Sequence, residues 1–112
     1  MNQKLYYQKQ KNLYKNSKKN KKKILLFKAN WCIHCKQFES TWNELKQFHE
    51  KIEPNIKFKM YDVDNPKDKK YFDKYHIESF PTILLLKNNN NSVEKYTGDR
   101  TIKNLKNFIL SS

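Results

Sequence analysis

The sequence predicts an α/β sandwich, a central mixed β-sheet flanked by helices. Three observations carry this reading. Ile24–Phe27 and Thr82–Leu86 are short continuous apolar runs, the pattern of strands buried on both faces. Cys35–Ile52 places Phe38, Trp42, Leu45, Phe48 and Ile52 at spacings of three and four, which is one face of a helix. Strands and helices then alternate along the chain, as a layered α/β domain requires. At 112 residues the chain is long enough for one such core and too short for two.

Taken in order, residues 1–21 read as a polar, basic arm, with a short helix carrying Leu5, Tyr6, Leu13 and Tyr14. Residues 22–112 form the domain. The Lys18–Lys23 cluster leads into the first strand, and Pro54-Asn55 breaks the long helix. Ile56–Val63 alternates, with Ile56, Phe58 and Met60 on one side and Lys57 and Lys59 on the other. Asn65-Pro66 opens a second helix whose apolar contacts are Tyr71, Phe72 and Tyr75. Asn88–Asn91 joins Thr82–Leu86 to Ser92–Tyr96 as a hairpin, because Asn tolerates the left-handed backbone such turns need. After a turn at Gly98-Asp99, Thr101 caps a last helix with Ile102, Leu105, Phe108 and Ile109 inward. Crossover helices should make parallel neighbours, and the Asn turn an antiparallel pair.

Formal net charge is +13 and unevenly spread: residues 1–23 hold nine Lys and no acid. An arm of this kind suits acidic surfaces. Yet the chain has 23 Lys, one Arg and 14 Asn, a bias that AT-rich codons also produce. The arm lacks the Arg forks that nucleic-acid recognition leans on, so specific nucleic-acid binding is not expected. No apolar run is long enough to span a bilayer. With neither a secretory signal nor a retention address, the protein is expected in the cytoplasm or packaged in a particle such as a virion.

Both cysteines fall in Ala29–Lys36, "ANWCIHCK". A structural zinc site needs four ligands; two Cys and three His (His34, His49, His76), without a second paired hook, do not suit one. A staple between residues three apart closes almost no loop and removes little unfolded-state entropy. A redox pair fits the local physics. Cys32 lies between a strand and a helix, where exposed N–H groups favour a thiolate. Cys35 is one turn further on the same face, within reach of a mixed disulfide at Cys32. Trp31 and Phe27 should keep one side of this site apolar.

"ANWCIHCK" at the end of an apolar strand, "SFPTILLL" (Ser79–Leu86) and "YTGDRT" (Tyr96–Thr101) occur in the order and spacing of thioredoxin-fold proteins. Residues 22–112 resemble the thioredoxin and protein disulfide isomerase catalytic domains. The resemblance implies that Cys32 is the nucleophile, Cys35 the resolving cysteine and Phe80–Pro81 a cis peptide. It implies further that Phe80 pairs through its backbone with an extended substrate, beside Trp31, Ile33 and Pro81. His34 stands where thioredoxins have Pro and the isomerases have His, and should make the disulfide more oxidising. Arg100 resembles an isomerase Arg that swings toward the resolving cysteine and lowers its pKa. One family feature is missing: the buried acid of the first strand is replaced by Leu26, and its Lys partner by Met60.

These features lead us to expect a protein-disulfide oxidoreductase with a Cys-Ile-His-Cys site. It should act on protein thiols and disulfides as a monomer, without cofactor or metal, and be recycled by a separate redox partner. Two alternatives stand beside it. One is a redox-inactive peptide-binding module of the same fold, and the other a thioredoxin-type reductase tethered by the basic arm.

Overall fold

The computed structural model describes residues 21–52 and 55–111. The short helix expected over 1–20 and the Pro54 breaker lie outside the described residues. Within them the chain runs β1 (Lys23–Lys28), α1 (Ile33–Ile52), β2 (Lys57–Asp62), a 3-10 turn at Pro66–Asp68, α2 (Lys69–Lys74), β3 (Thr82–Lys87), β4 (Ser92–Lys95) and α3 (Ile102–Ser111). The strands form one sheet in the order β2-β1-β3-β4. β1 lies parallel to β2 and antiparallel to β3, and β3 is antiparallel to β4.

Strand alternation divides the core into two layers. Ile24, Leu26, Ile83 and Leu85 point to one face, where Phe38, Trp42 and Leu45 of α1 and Leu105 and Ile109 of α3 cover them. Leu25, Phe27, Leu84 and Leu86 point to the other, under Phe72 of α2. This is the three-layer α/β sandwich that the apolar runs predict.

The two helical connections behave differently. α1, at 20 residues, rises roughly 30 Å and returns the chain to the start of the sheet, so β2 runs parallel to β1. α2 has six residues and rises only about 9 Å, less than the roughly 20 Å of a six-residue strand. β3 starts at the end of the sheet at which β2 finishes, with Thr82 opposite Phe27, and runs antiparallel beside β1 rather than as the parallel neighbour expected.

Local chemistry fixes the remaining joints. Asn88, Asn89 and Asn90 all have positive φ, between 53° and 71°, in the β3–β4 turn. Thr101 Oγ1 accepts the Asn104 N–H at 3.2 Å and caps α3. At the other end of α3, the buried Lys22 donates from Nζ to the Ile109 carbonyl at 2.6 Å, tying the approach to β1 to the last turn of the helix. Met60 departs from its expected place. β2 is an edge strand, and Met60 is 51% exposed rather than packed with Ile56 and Phe58.

His49 is wholly buried on α1, edge-on to Phe48 and beside Phe58. Burial, and then the nearby Lys106 ammonium, lower its pKa from 6.5 to about 3. The native imidazole thus stays neutral while the unfolded one takes up a proton below pH 6.5. The stability involved is fully present above pH 6.5 and is lost as pH falls toward 3, by at most about 1.4 kcal/mol per unit. Urea unfolding at pH 7 and pH 4.5 should show a fall roughly 2 kcal/mol larger in the wild type than in His49→Phe.

Candidate active site

β1 ends at Lys28, and a tight turn delivers Cys32 to the head of α1: the Cys32 N–H donates to the Ala29 carbonyl at 3.1 Å. The helix begins at Ile33, two residues earlier than the apolar spacing suggests. Cys32 is the cause, since it occupies the capping position. Its carbonyl accepts the Lys36 N–H at 3.1 Å, and its Sγ accepts the Cys35 N–H at 3.2 Å, as a Ser or Asp oxygen would. Both cysteines are free thiols, each 8% exposed.

The strand after the long loop meets this turn from the opposite side. Phe80–Pro81 is cis, as the resemblance implies, and Cys32 Sγ–H points at the Phe80 carbonyl at 3.7 Å. Thr82 Oγ1 donates to the Ser79 carbonyl at 2.6 Å and pins the loop. Trp31 and Ile33 are both strongly exposed, and the Trp31 ring meets Phe80 edge-on at 5.9 Å. They form an apolar rim beside the buried sulfurs. Phe27 does not take part. It packs under α2 with Phe72, while Ala29, Val63 and Phe80 surround the cysteines. An odd–even step along β1 explains the difference, since Phe27 shares the α2 face with Leu25.

Burial is the largest effect on Cys35 and, with the neighbouring Cys32, pushes its thiol up to about 11. A backbone contact at Ala29 and the Lys28 ammonium act in the opposite direction. Lys28, which the sequence reading passed over, donates to Asn30 Oδ1 at 2.6 Å and lies 3.8 Å from Asp62 Oδ2. Its signal was its parity, because it shares a strand face with Leu26. Arg100 is exposed and lines a separate cleft with Pro81, Tyr96 and Thr97. It is not among the groups that shift Cys35. His34 is exposed at the second helical position.

Leu26 and Met60 are partners in the β1–β2 register, so an apolar pair occupies the place of the family's acid and lysine. Both line a cavity of about 260 Å³ that also reaches Cys35, Lys28 and Glu39. Among the described residues, no group of three or more His, Cys, Asp or Glu could hold a metal. No helix of the described residues is long and apolar enough to cross a membrane. The resemblance implies that Cys35 loses a proton to attack a mixed disulfide at Cys32, and a carboxylate in that cavity should help it. Leu26→Glu should speed Cys35 resolution of a Cys32–glutathione mixed disulfide by roughly tenfold or more at pH 7, measured by stopped-flow tryptophan fluorescence. An unchanged rate would mean that proton loss does not limit the step.

Comparisons with known proteins agree with this geometry. The Thioredoxin family model matches residues 4–111. Protein disulfide-isomerase erp38 of Neurospora crassa is 32% identical over 90 residues, covering 80% of this chain and 24% of that protein. Probable protein disulfide-isomerase A4 of Caenorhabditis elegans is 36% identical over 90 residues, covering 77% of this chain and 14% of that protein. The chain thus spans a quarter or less of these relatives. Among solved structures, the first thioredoxin domain of mouse Protein disulfide-isomerase A4 superposes with a TM-score of 0.70 at 24% identity, covering 89% of this chain and 69% of that one. With the four-stranded mixed sheet, the cis-proline and the capped Cys-Ile-His-Cys turn, the match over almost its whole length shows that this chain belongs to the Thioredoxin family.

Proposed function

We propose that the protein is a thiol-disulfide oxidoreductase acting on protein substrates through Cys32 and Cys35. The observation that carries this is the capping geometry at Cys32, with the Cys35 N–H aimed at its sulfur. An anionic sulfur at a helix head is the nucleophile of thiol exchange. The Cys32 thiolate attacks one sulfur of a substrate disulfide, forming a mixed disulfide and expelling the other sulfur as a thiolate. Cys35 then gives up its proton and attacks Cys32 Sγ. The Cys32–Cys35 bond forms, the mixed disulfide breaks, and two electrons have passed to the substrate. Oxidation of a substrate dithiol is the same sequence reversed. Trp31, Ile33 and Phe80 form the rim on which an extended substrate lies, with Pro81 behind it.

Direction follows from how much the protein favours the reduced pair, and here His34 is the residue to test. It sits in the first helical turn, where its N–H has no partner four residues back, so Pro is tolerated there. The resemblance to the isomerases implies that a His at this position makes the disulfide more oxidising. His34→Pro should shift the reduction potential, measured against glutathione, to more negative values by tens of mV, within the ~90 mV that separates thioredoxin from protein disulfide isomerase. Arg100 would have to move from the Pro81 cleft to act on Cys35. Arg100→Gln therefore changes the rate of resolution only if that movement occurs.

Insulin reduction provides the direct test. Cys32→Ser should abolish turnover, and Cys35→Ser should accumulate a mixed disulfide visible on a non-reducing gel. Equal rates for wild type and Cys32→Ser would leave a redox-inactive peptide-binding module as the function.

A further inference from the structure

A second cleft, of about 470 Å³, lies on the α2 side of the sheet. Its floor is Leu25 and Leu86, and its walls carry Lys23, Lys59, Lys67, Lys70 and Lys74. Asp68 is the one acid among its lining residues, and its Oδ2 already accepts the Asp62 N–H at 3.0 Å. Lysine is abundant throughout this chain, so clustering must be judged against the rest of the domain. Residues 22–112 contain 17 basic and 11 acidic side chains. With five Lys and one Asp at this cleft, the remainder is 12 against 10. Most of the positive excess of residues 22–112 is therefore collected in one groove.

The three tyrosines of the groove decide what kind of anion it suits. Tyr61 and Tyr71 stack on each other at 4.3 Å. Lys70 lies over the Tyr71 ring and Lys74 over the Tyr75 ring, at 5.2 and 5.4 Å, and Phe27 meets Tyr75 edge-on. These rings are already engaged with protein groups. Single-stranded nucleic acid binds such surfaces by stacking bases on free aromatic faces, with Arg in support, and Arg is absent from this lining. Carboxylates need only ammonium and phenol donors, which the groove supplies in number.

We propose that this cleft is a docking site for an acidic, Asp- and Glu-rich segment of a partner protein. It lies on the α2 face of the sheet, its lining running from Lys23 at the start of β1 to Tyr61 and Asp68 near the end of β2, and includes neither cysteine. The proposal rests on charge and shape, independently of the redox reading.

The test is fluorescence anisotropy of a fluorescein-labelled deca-glutamate peptide titrated with the full chain. The groove variant K59E/K70E/K74E should weaken binding by at least about tenfold, and the neutral variant K59Q/K70Q/K74Q by somewhat less. The control K46E/K51E/K103E alters exposed lysines on α1 and α3 to the same net charge, and should change affinity by less than about twofold. Equal weakening by groove and control variants would reduce the effect to overall charge and overturn the proposal. So would failure of the wild type to bind the peptide, or tighter binding of an oligothymidylate with the same dependence on the groove lysines. Far-UV circular dichroism of each variant verifies that the fold is kept.

Discussion

The sheet and the site both depend on the enclosure of β1. It is paired on both edges, parallel to β2 and antiparallel to β3, and Ile24, Leu25, Leu26 and Phe27 are buried between helices on its two faces. Four such side chains contribute on the order of 1.5–3 kcal/mol each on leaving water. That burial holds the strand's register rigidly, because a slip by one residue would exchange its two faces. The turn after Lys28 can then deliver Cys32 to one point in space. The loop ahead of β3, pinned by Thr82, brings Phe80 to the same point from the other side. The two cysteines are placed accurately because their two supports are strands of one sheet and adjoin each other.

Within that frame the two sulfurs occupy different environments. Cys32 caps a helix beside an exposed apolar rim, while burial and the neighbouring Cys32 raise the Cys35 thiol. The two residues are equally buried and differ in their partners. The Leu26–Met60 pair puts an apolar contact at this edge of the sheet, with Leu26 buried and Met60 half-exposed. It leaves Lys28, Glu39 and the cavity between them as the polar surroundings of Cys35.

Much of this was legible in the sequence, because its signals are local. The continuous apolar runs gave β1 and β3, the three-four spacing gave α1, and the Asn run gave a turn in which three residues do adopt the left-handed backbone. The cysteine pair was readable because its spacing between a strand and a helix is itself a pattern, whereas the cis-proline came only with the family resemblance. What escaped depends on relations between distant segments. The antiparallel placement of β3 shows only in its pairing with β1, and the exposure of Met60 follows from β2 lying at an edge. Phe27 was assigned to the site by proximity in sequence, whereas strand parity sends it to the other face. Lysines 23, 59, 67, 70 and 74 come from separate elements, and a linear reading sees them only as part of a general excess.

The Lys22 clasp also gives the molecule a mechanical polarity. The chain enters the domain beside the last turn of α3, at the end of the sheet remote from Cys32. The tie between the first described residues and the last helix is thus made at the opposite end of the sheet from the sulfurs, and the fold closes on itself away from its chemistry.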